Sequence, residues 1–502
     1  MSWQQKQNSS NQHKKPYCPF NKFCIFIDGN SPESILSDRD YLSTRVNHLE
    51  GAMNFSTKEI ISLRARIEEL ESDKRLLESD LLQALRAPFT KYEKKDPSTT
   101  KKRGAPVGHP GWFRTPSEHI DRYIDVYLDK CPDCNSEDIS PCNHTTKHTQ
   151  EDVEDGKVIA SRFIHFFYWC PDCKKIVHGW GENEMPNAFI GPEARALATF
   201  LRHEIKVSYD DTQRVLQHFC GLTVVAGSIV GFDKKCFQKG EPLYKALKAT
   251  LAETKYIHVD ETGWKRDWLW IFTNPDIAFF HIDEHRSSAV VRDHLGDFYK
   301  GILITDFYSA YRNLVLAFGK QKCCTHLLRD IKKLLDDGLP DHPGAEVFLS
   351  ALKQLIKDAI CFHAQHSILT EEEWRSGKKE ILQRFRKSYN NKPLEHHETD
   401  NIRKRLITHK NELFVFLKYP QVPPTNNPAE QGIRNNVLFR KVTFGNMTDQ
   451  GKKNVSLITT IIRTAKLKDL DPVRVLRQIM LRITPALFEQ FGLASSAIPQ
   501  AP

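Results

Sequence analysis

No stretch of this sequence approaches the roughly 18 consecutive apolar residues that a membrane-spanning helix needs. The first residues, "MSWQQKQNSSNQHKKPY", are polar and lack the hydrophobic centre of a secretory signal. Both absences point away from membrane and export and toward the cytoplasm. Cysteine is scarce as well. Twelve in 502 residues is far below a disulfide scaffold, and paired cysteines in a reducing compartment suggest metal. Neither sign of charge dominates: a net +9 permits nucleic-acid binding without demanding it. With 40% hydrophobic and 27% charged residues, the composition suits a globular protein with polar linkers. The chain is too long for one ordinary core, so two to four domains are expected.

Residues 1–41 read as a poorly ordered arm. Beyond them Leu42, Val46, Leu49, Met53, Ser56, Ile60, Leu63, Ile67, Leu70, Lys74, Leu77, Leu81 and Ala84 alternate spacings of four and three without a break. A 3.5-residue repeat keeps one face on a partner helix, so residues 42–87 read as a coiled coil and the chain as a homodimer. The bland rival is a long amphipathic helix packed on its own protein. Ser56 and Lys74 are polar intruders that set register. Pro88 ends the helix. Residues 88–116 form a basic linker rich in Pro and Gly, which fits a solvated spacer and a phosphate-tracking arm equally.

Two copies of "CPDC" follow, holding Cys131 with Cys134 and Cys170 with Cys173. Zinc takes four soft donors in a tetrahedron, and each C-x-x-C turn presents two thiolates to one ion. Two such turns around the β-rich "SRFIHFFYW" describe a zinc ribbon-like domain over 117–190. Four protein ligands leave no open position, so the Zn²⁺ is structural. Cys142 and His144 are the alternative donors, expected in the intervening loop. Residues 191–253 read as a helical unit. Gly221 falls where a turn between two helices belongs, a helix-turn-helix outline with few long polar side chains for base edges.

From 255 the pattern changes to short apolar runs: "KYIHVDET", "DWLWIFTN", "IAFFHIDE", then helical "AVVRDHLGDFY", strand "GILITDFYSAY" and a short strand at "KQKCCTH". Two of these runs end in acids, Asp260 and Asp306. That order is ribonuclease-H-like, and in such a fold the two strands are neighbours. Paired like charges are costly unless a cation neutralises them, and a hard divalent cation suits a pair of carboxylates. A third acid is expected from a later helix, and "TNNPAEQGIRNNVLFRK" offers Glu430. With Asn427 as N-cap and Pro428 at the first helical position, Glu430 equally reads as a capping-box acid. A helical insertion is expected over about 337–420, and C-terminal helices over 451–502, two of them with Lys and Arg faces within 452–483. Trp264, Trp268 and Trp270 read as core or hairpin packing.

The blocks "HVDETGW", "LITDFYSAY", "CTHLLRD" and "NNPAEQGIRNNVLFRKVTFGN" resemble the successive catalytic-domain blocks of the insertion-sequence-66-type transposases. The upstream order of zipper helix, doubled-cysteine domain and helical unit matches too, so the resemblance runs from about residue 42 to the end. It implies a multidomain α+β protein with a ribonuclease-H-like α/β catalytic domain over 254–450. It also implies a DNA transposase of the Asp-Asp-Glu class, acting on transposon ends and target DNA in the bacterial cytoplasm or nucleoid. By that resemblance Asp260, Asp306 and Glu430 are the ligands of Mg²⁺ (or Mn²⁺). His326, Arg329, Arg434, Arg440 and Lys441 are the candidate DNA contacts. One departure stands out: the family usually carries Arg immediately after the third acid, and here that residue is Gln431.

Two rival classes follow from the same residues. A DNA-binding or regulatory relic would keep the fold without cutting, with Gln431 as its support. A glycoside hydrolase would use the Asp260 and Glu261 region as acid and base, against which the zinc motifs, coiled coil and basic linker all stand.

Overall fold

The computed structural model describes residues 114–494, apart from 312–313, 315–318, 340–341, 390–393 and 447, together with positions 43–47, 49, 63 and 67. The N-terminal arm, most of the expected coiled coil and nearly all of the basic linker lie outside the described residues. The positions described between 43 and 67 are helical, and the seam residues Val46, Leu49, Leu63 and Ile67 are each about half exposed. The described residues from Arg114 onward belong to one compact unit.

Its first sheet is built on a long hairpin. Strands β2 (Ser140–Glu154) and β3 (Lys157–Cys170) pair antiparallel. Asp155 and Gly156 link them, both at positive φ, 47° and 76°, which matches the right-handed twist of the strands. Strand β1 (Arg122–Val126) lies parallel to β3, and β4 (Lys175–Val177) folds back on the end of β3. Cys142 and His144 fall within β2, where the β2–β3 register shifts. They therefore stand on a strand and not in the expected loop.

Helices α1 (Pro192–Phe200), α2 (Tyr209–Cys220) and α3 (Ala226–Thr250) follow. Ser208 caps α2 by accepting the Asp211 N–H at 3.0 Å, and Gly221, at φ 73°, ends it. Helix α3 buries Ile229, Phe232, Cys236, Leu243 and Leu247 in the same core as the central sheet. This is the behaviour of a packing helix.

The central sheet comprises β5 (Tyr256–Trp264), β6 (Asp267–Thr273), β7 (Ala278–Asp283), β8 (Ile302–Thr305) and β9 (Lys320–Lys322), in the order β7-β6-β5-β8-β9. Strand β6 is antiparallel to both neighbours, while β5, β8 and β9 run parallel. Helix α4 (Ser288–Leu295) connects β7 to β8. Both faces are covered, which is why the strands read as near-continuous apolar runs. Ile257, Val259, Trp270 and Phe272 enter the core shared with α3 and α4. Trp264, Leu269, Ile271 and Phe280 enter a second core with Ala429, Ile433 and Phe439.

Helix α5 (Cys324–Asp336) leads into the insertion helices α6 (Pro343–Ala364), α7 (Glu371–Tyr389) and α8 (His397–Thr408), which share a core with Ile302 and Ile304. Helix α9 (Asn427–Thr443) then returns to the sheet. A Cβ on Gly432 would sit 2.3 Å from Ile271 Cδ1, so the missing side chain lets α9 approach β6 closely.

The C-terminal segment holds α10 (Asp449–Leu467) and α11 (Pro472–Leu481), where two helices were expected, and then a short α12 (Pro485–Gln490). The expected charged faces are also confined, because α10 is buried almost continuously from Asn454 to Ala465. The reason is the edge of the sheet. Ser456, Thr460 and Thr464, one turn apart, accept the N–H groups of Ile282, Phe280 and Ala278 at 3.1, 2.9 and 3.2 Å. A ladder of hydroxyls thus satisfies edge strand β7, which would otherwise offer itself for pairing. Among the described residues no helix is long and apolar enough to cross a membrane.

Candidate functional site

The pairing register of β5 and β8 sets the first two acids side by side. Tyr256 pairs with Ile302, Ile257 with Leu303 and His258 with Ile304. Carrying that register two residues further sets Asp306 beside Asp260 on strands about 4.8 Å apart. Asp306 lies directly after β8, as expected. Asp260 does not end its strand: β5 continues to Trp264, which pairs with Asp267. The antiparallel hairpin with β6 carries β5 past the point where β8 stops, so Asp260 sits mid-strand beside the space beyond the end of β8.

Side chains alternate along a strand, and this sorts the two adjacent acids. His258 and Asp260 face α9, whereas Glu261 faces the opposite core. Glu261 is buried, not solvated. It accepts from Arg286 Nε at 2.9 Å and from the Tyr311 hydroxyl. Arg286 is itself sandwiched between the rings of Trp268 and Tyr308. Burial raises the Glu261 pKa, against the Tyr311 and Arg286 hydrogen bonds. Burial also pushes Asp260 up to about 7, reinforced by Glu261 and Asp306 and, to a smaller extent, Glu430; the Glu261 N–H opposes it. Asp306 Oδ1 accepts the Tyr308 N–H at 2.8 Å. The buried ammonium of Lys322 donates to the Asp306 carbonyl oxygen at 2.7 Å and to Thr305 Oγ1 at 3.1 Å, fixing the chain on either side of that acid.

Asn426 brings in the third acid. It is wholly buried. Its Nδ2 donates to the Val259 carbonyl at 3.0 Å, and its Oδ1 accepts from His258 Nδ1 at 3.1 Å. Its backbone N–H points to Cys323 Sγ at 3.0 Å. This clamp pins the start of α9 to β5 one residue before Asp260. Asn426, not Asn427, is the cap residue, and it makes no side-chain cap hydrogen bond. Glu430 therefore falls one position beyond the capping-box place. Its carboxylate turns to α5, with Oε1 at 3.3 Å from His326 Nδ1 and Oε2 at 3.4 Å from Arg329 Nη2.

Of the expected DNA contacts, His326 and Arg329 thus gather at Glu430. Arg440 lies over Gly263 of β5, while Arg434 and Lys441 are exposed along α9. Between the central sheet and the insertion helices is a hollow of about 520 Å³. Arg286, Asp306, His326, Lys404 and Arg405 are among its lining residues. Sequence reading missed Arg286, Tyr311, Lys322 and Asn426. Only the Asn-rich "TNNP" hinted at any of them.

The second assembly is the cysteine corner. Cys131 and Cys134 follow β1, while Cys170 ends β3 and Cys173 stands in the turn to β4. Cys131 Sγ lies 3.7 Å from Cys173 Sγ, and Cys134 Sγ lies 3.6 Å from Cys170 Sγ. All four sulfurs fall within 4.8 Å of one another. Tetrahedral zinc with Zn–S of about 2.3 Å separates its sulfurs by about 3.8 Å, so the quartet is compatible with zinc. Cys142 and His144 are outside it: the Cys142 thiol is near the Ser140 carbonyl, and the His144 ring lies against Phe167.

These features accord with a transposase-type protein, and comparison with known proteins bears out the family. Residues 187–454, more than half of the chain, match the Transposase IS66 family, and the chain belongs to it. Relatives include the uncharacterized protein y4hP of Sinorhizobium fredii (strain NBRC 101917 / NGR234), 24% identical over 408 residues, 70% of each chain. The uncharacterized protein y4qI of the same organism is 24% identical over 236 residues, 43% of each chain. The chain thus spans less than half the length of y4qI. Family membership implies DNA as partner and a divalent metal as cofactor.

Proposed function

We propose that the chain is a DNA transposase that cuts and joins transposon ends, with Asp260, Asp306 and Glu430 as the acid trio of a ribonuclease-H-like catalytic domain. One observation carries this reading: the strand register that aligns Asp260 with Asp306, on the face to which Asn426 clamps the Glu430 helix. The donor set fits a hard cation. All three side chains offer oxygen, and the Asp260 pKa is raised by burial first and by the neighbouring carboxylates second, an environment a divalent ion relieves.

When bound, Mg²⁺ or Mn²⁺ supplies charge neutralisation, activation of the attacking water or 3′-hydroxyl and stabilisation of the leaving oxygen. The remaining work belongs to the chain. Asp260 and Asp306 would hold the ion from adjacent strands, and Glu430 would complete the set from α9. Lys322 and the Tyr308 N–H fix Asp306, and the Asn426 clamp sets the distance of α9 from the sheet. Arg329, Arg434, Arg440, Lys441 and His326 would contact phosphates, which supply most DNA affinity. Asp260→Asn and Asp306→Asn should each abolish Mg²⁺-dependent cleavage of end-containing DNA in a gel assay while still binding that DNA. A variant that cuts at the wild-type rate removes its acid from the trio.

The cysteine quartet fits a structural Zn²⁺, and the heptad seam fits a homodimer through 42–87. Lysine at Leu63 and Leu70 would place ions in an apolar seam. A light-scattering mass unchanged by that pair of substitutions argues against the dimer. The impaired-relic reading draws support from Gln431. That residue lines a hollow of about 420 Å³ together with Arg463 and Lys466, so cations remain on that face, and cleavage by the wild-type chain decides against the relic.

A further inference from the structure

Cys323 has no part in the acid trio, yet it stands beside it. Cys323 precedes the first turn of α5, and His326, three residues on, faces the same way. Glu430 meets them from α9. One donor atom from each of the three lies within 4.8 Å of the other two. Two of those side chains carry an unusual feature. His326 Nδ1 and Glu430 Oε1 are both buried atoms, and neither has a hydrogen-bond partner, although they approach to 3.3 Å. Buried polar atoms that meet without a hydrogen bond are costly and call for an explanation. Tetrahedral zinc, with Zn–N and Zn–O both near 2.1 Å, separates such a pair by about 3.4 Å.

The donor types narrow the ion. Sulfur, imidazole nitrogen and carboxylate oxygen together form a set for Zn²⁺ or Co²⁺, whereas Mg²⁺ and Ca²⁺ avoid thiolate. Three protein ligands leave one position for water. His326 also lines the hollow at Asp306, which gives an ion a way in. Binding replaces the Cys323 S–H bond with an S–metal bond and releases the proton to solvent.

We propose that Cys323, His326 and Glu430 form a second, thiophilic metal site, and that a Zn²⁺ ion there withholds Glu430 from the catalytic trio. Zinc then inhibits where magnesium activates. The inhibitory half rests on the transposase reading above; the binding half does not.

The test uses the full chain with its cysteine quartet already loaded with zinc, titrated with Co²⁺. The expected result is one further Co²⁺ per chain, with visible bands and a thiolate-to-cobalt charge-transfer band. Cys323→Ser should lose that charge-transfer band, and His326→Gln, half-exposed and mild in its effect on folding, should weaken binding by about tenfold or more. A titration identical in wild type and Cys323→Ser overturns the site. In the second arm, Zn²⁺ is added to Mg²⁺-dependent DNA cleavage. Half-inhibition should need about tenfold more zinc in Cys323→Ser than in wild type. Cobalt binding without zinc inhibition overturns the competition for Glu430. If the wild-type chain does not cut at all, the transposase reading fails while the cobalt titration still decides the site.

Discussion

The cysteine corner and the proposed acid trio are both sets of metal-type donors, but they draw on the chain differently. In the corner, each C-x-x-C turn delivers two donors at once, and one long hairpin carries the second turn back to the first. The trio takes one residue from each of three separate elements, 46 and 124 residues apart in sequence. A single strand register sets Asp260 beside Asp306, and a single buried side chain, Asn426, holds the start of the Glu430 helix on β5. A locally built site depends on its own ligands. A site built over long range depends on residues that never touch the reacting groups.

The contrast predicts effects of different kinds and sizes. The largest is at the corner itself. In a Cys323→Ser background, which removes the second thiolate site, Cys170→Ser/Cys173→Ser should lower bound zinc from about one ion per chain to none, measured by metal analysis on purified protein. Zinc retained in that variant would break the comparison at its local end. Next is the clamp. Asn426→Ala leaves His258 Nδ1 and the Val259 carbonyl without their partner, and should cost about 2–4 kcal/mol by denaturant unfolding. The same variant should cut DNA poorly under conditions where it is fully folded, because α9 loses its seat on β5. Normal cleavage there would show that the trio does not depend on the clamp. The smallest effect is at the far edge of the sheet. Thr460→Val strips the Phe280 N–H of its acceptor, so stability should fall by about 1–3 kcal/mol while cleavage by the folded protein stays unchanged. A cleavage defect would extend the long-range dependence further than the clamp.

The same contrast explains what could be read from the sequence. The doubled C-x-x-C showed its donors directly, because spacing alone dictates that chemistry. The strand order and the two aspartates were legible because both faces of the sheet are buried and the acids interrupt apolar runs. The length of β5 was not, since nothing local distinguishes Asp260 at a strand end from Asp260 beside the end of a neighbour. The capping frame of α9 slipped by one residue because two asparagines stand together, and the choice between them is made by His258 and Val259 across the core. Arg286 and Lys322 were invisible as site residues. Each is an ordinary cation until folding stacks Arg286 between two rings and buries Lys322 against a carbonyl. The burial of α10 was hidden by its serines and threonines, which look solvated in sequence and in fact face a strand edge.

The central claim is that long-range packing makes Glu430 a member of the trio and not a helix cap. Glu430→Gln keeps the shape and removes the charge. Cleavage of end-containing DNA by this variant in Mg²⁺, measured beside its unfolding midpoint and its DNA affinity, tests the claim most directly. The account predicts cleavage lost, with folding and DNA binding near wild type. Cleavage near the wild-type rate, with stability lowered by about 1 kcal/mol as for a lost cap, would contradict it.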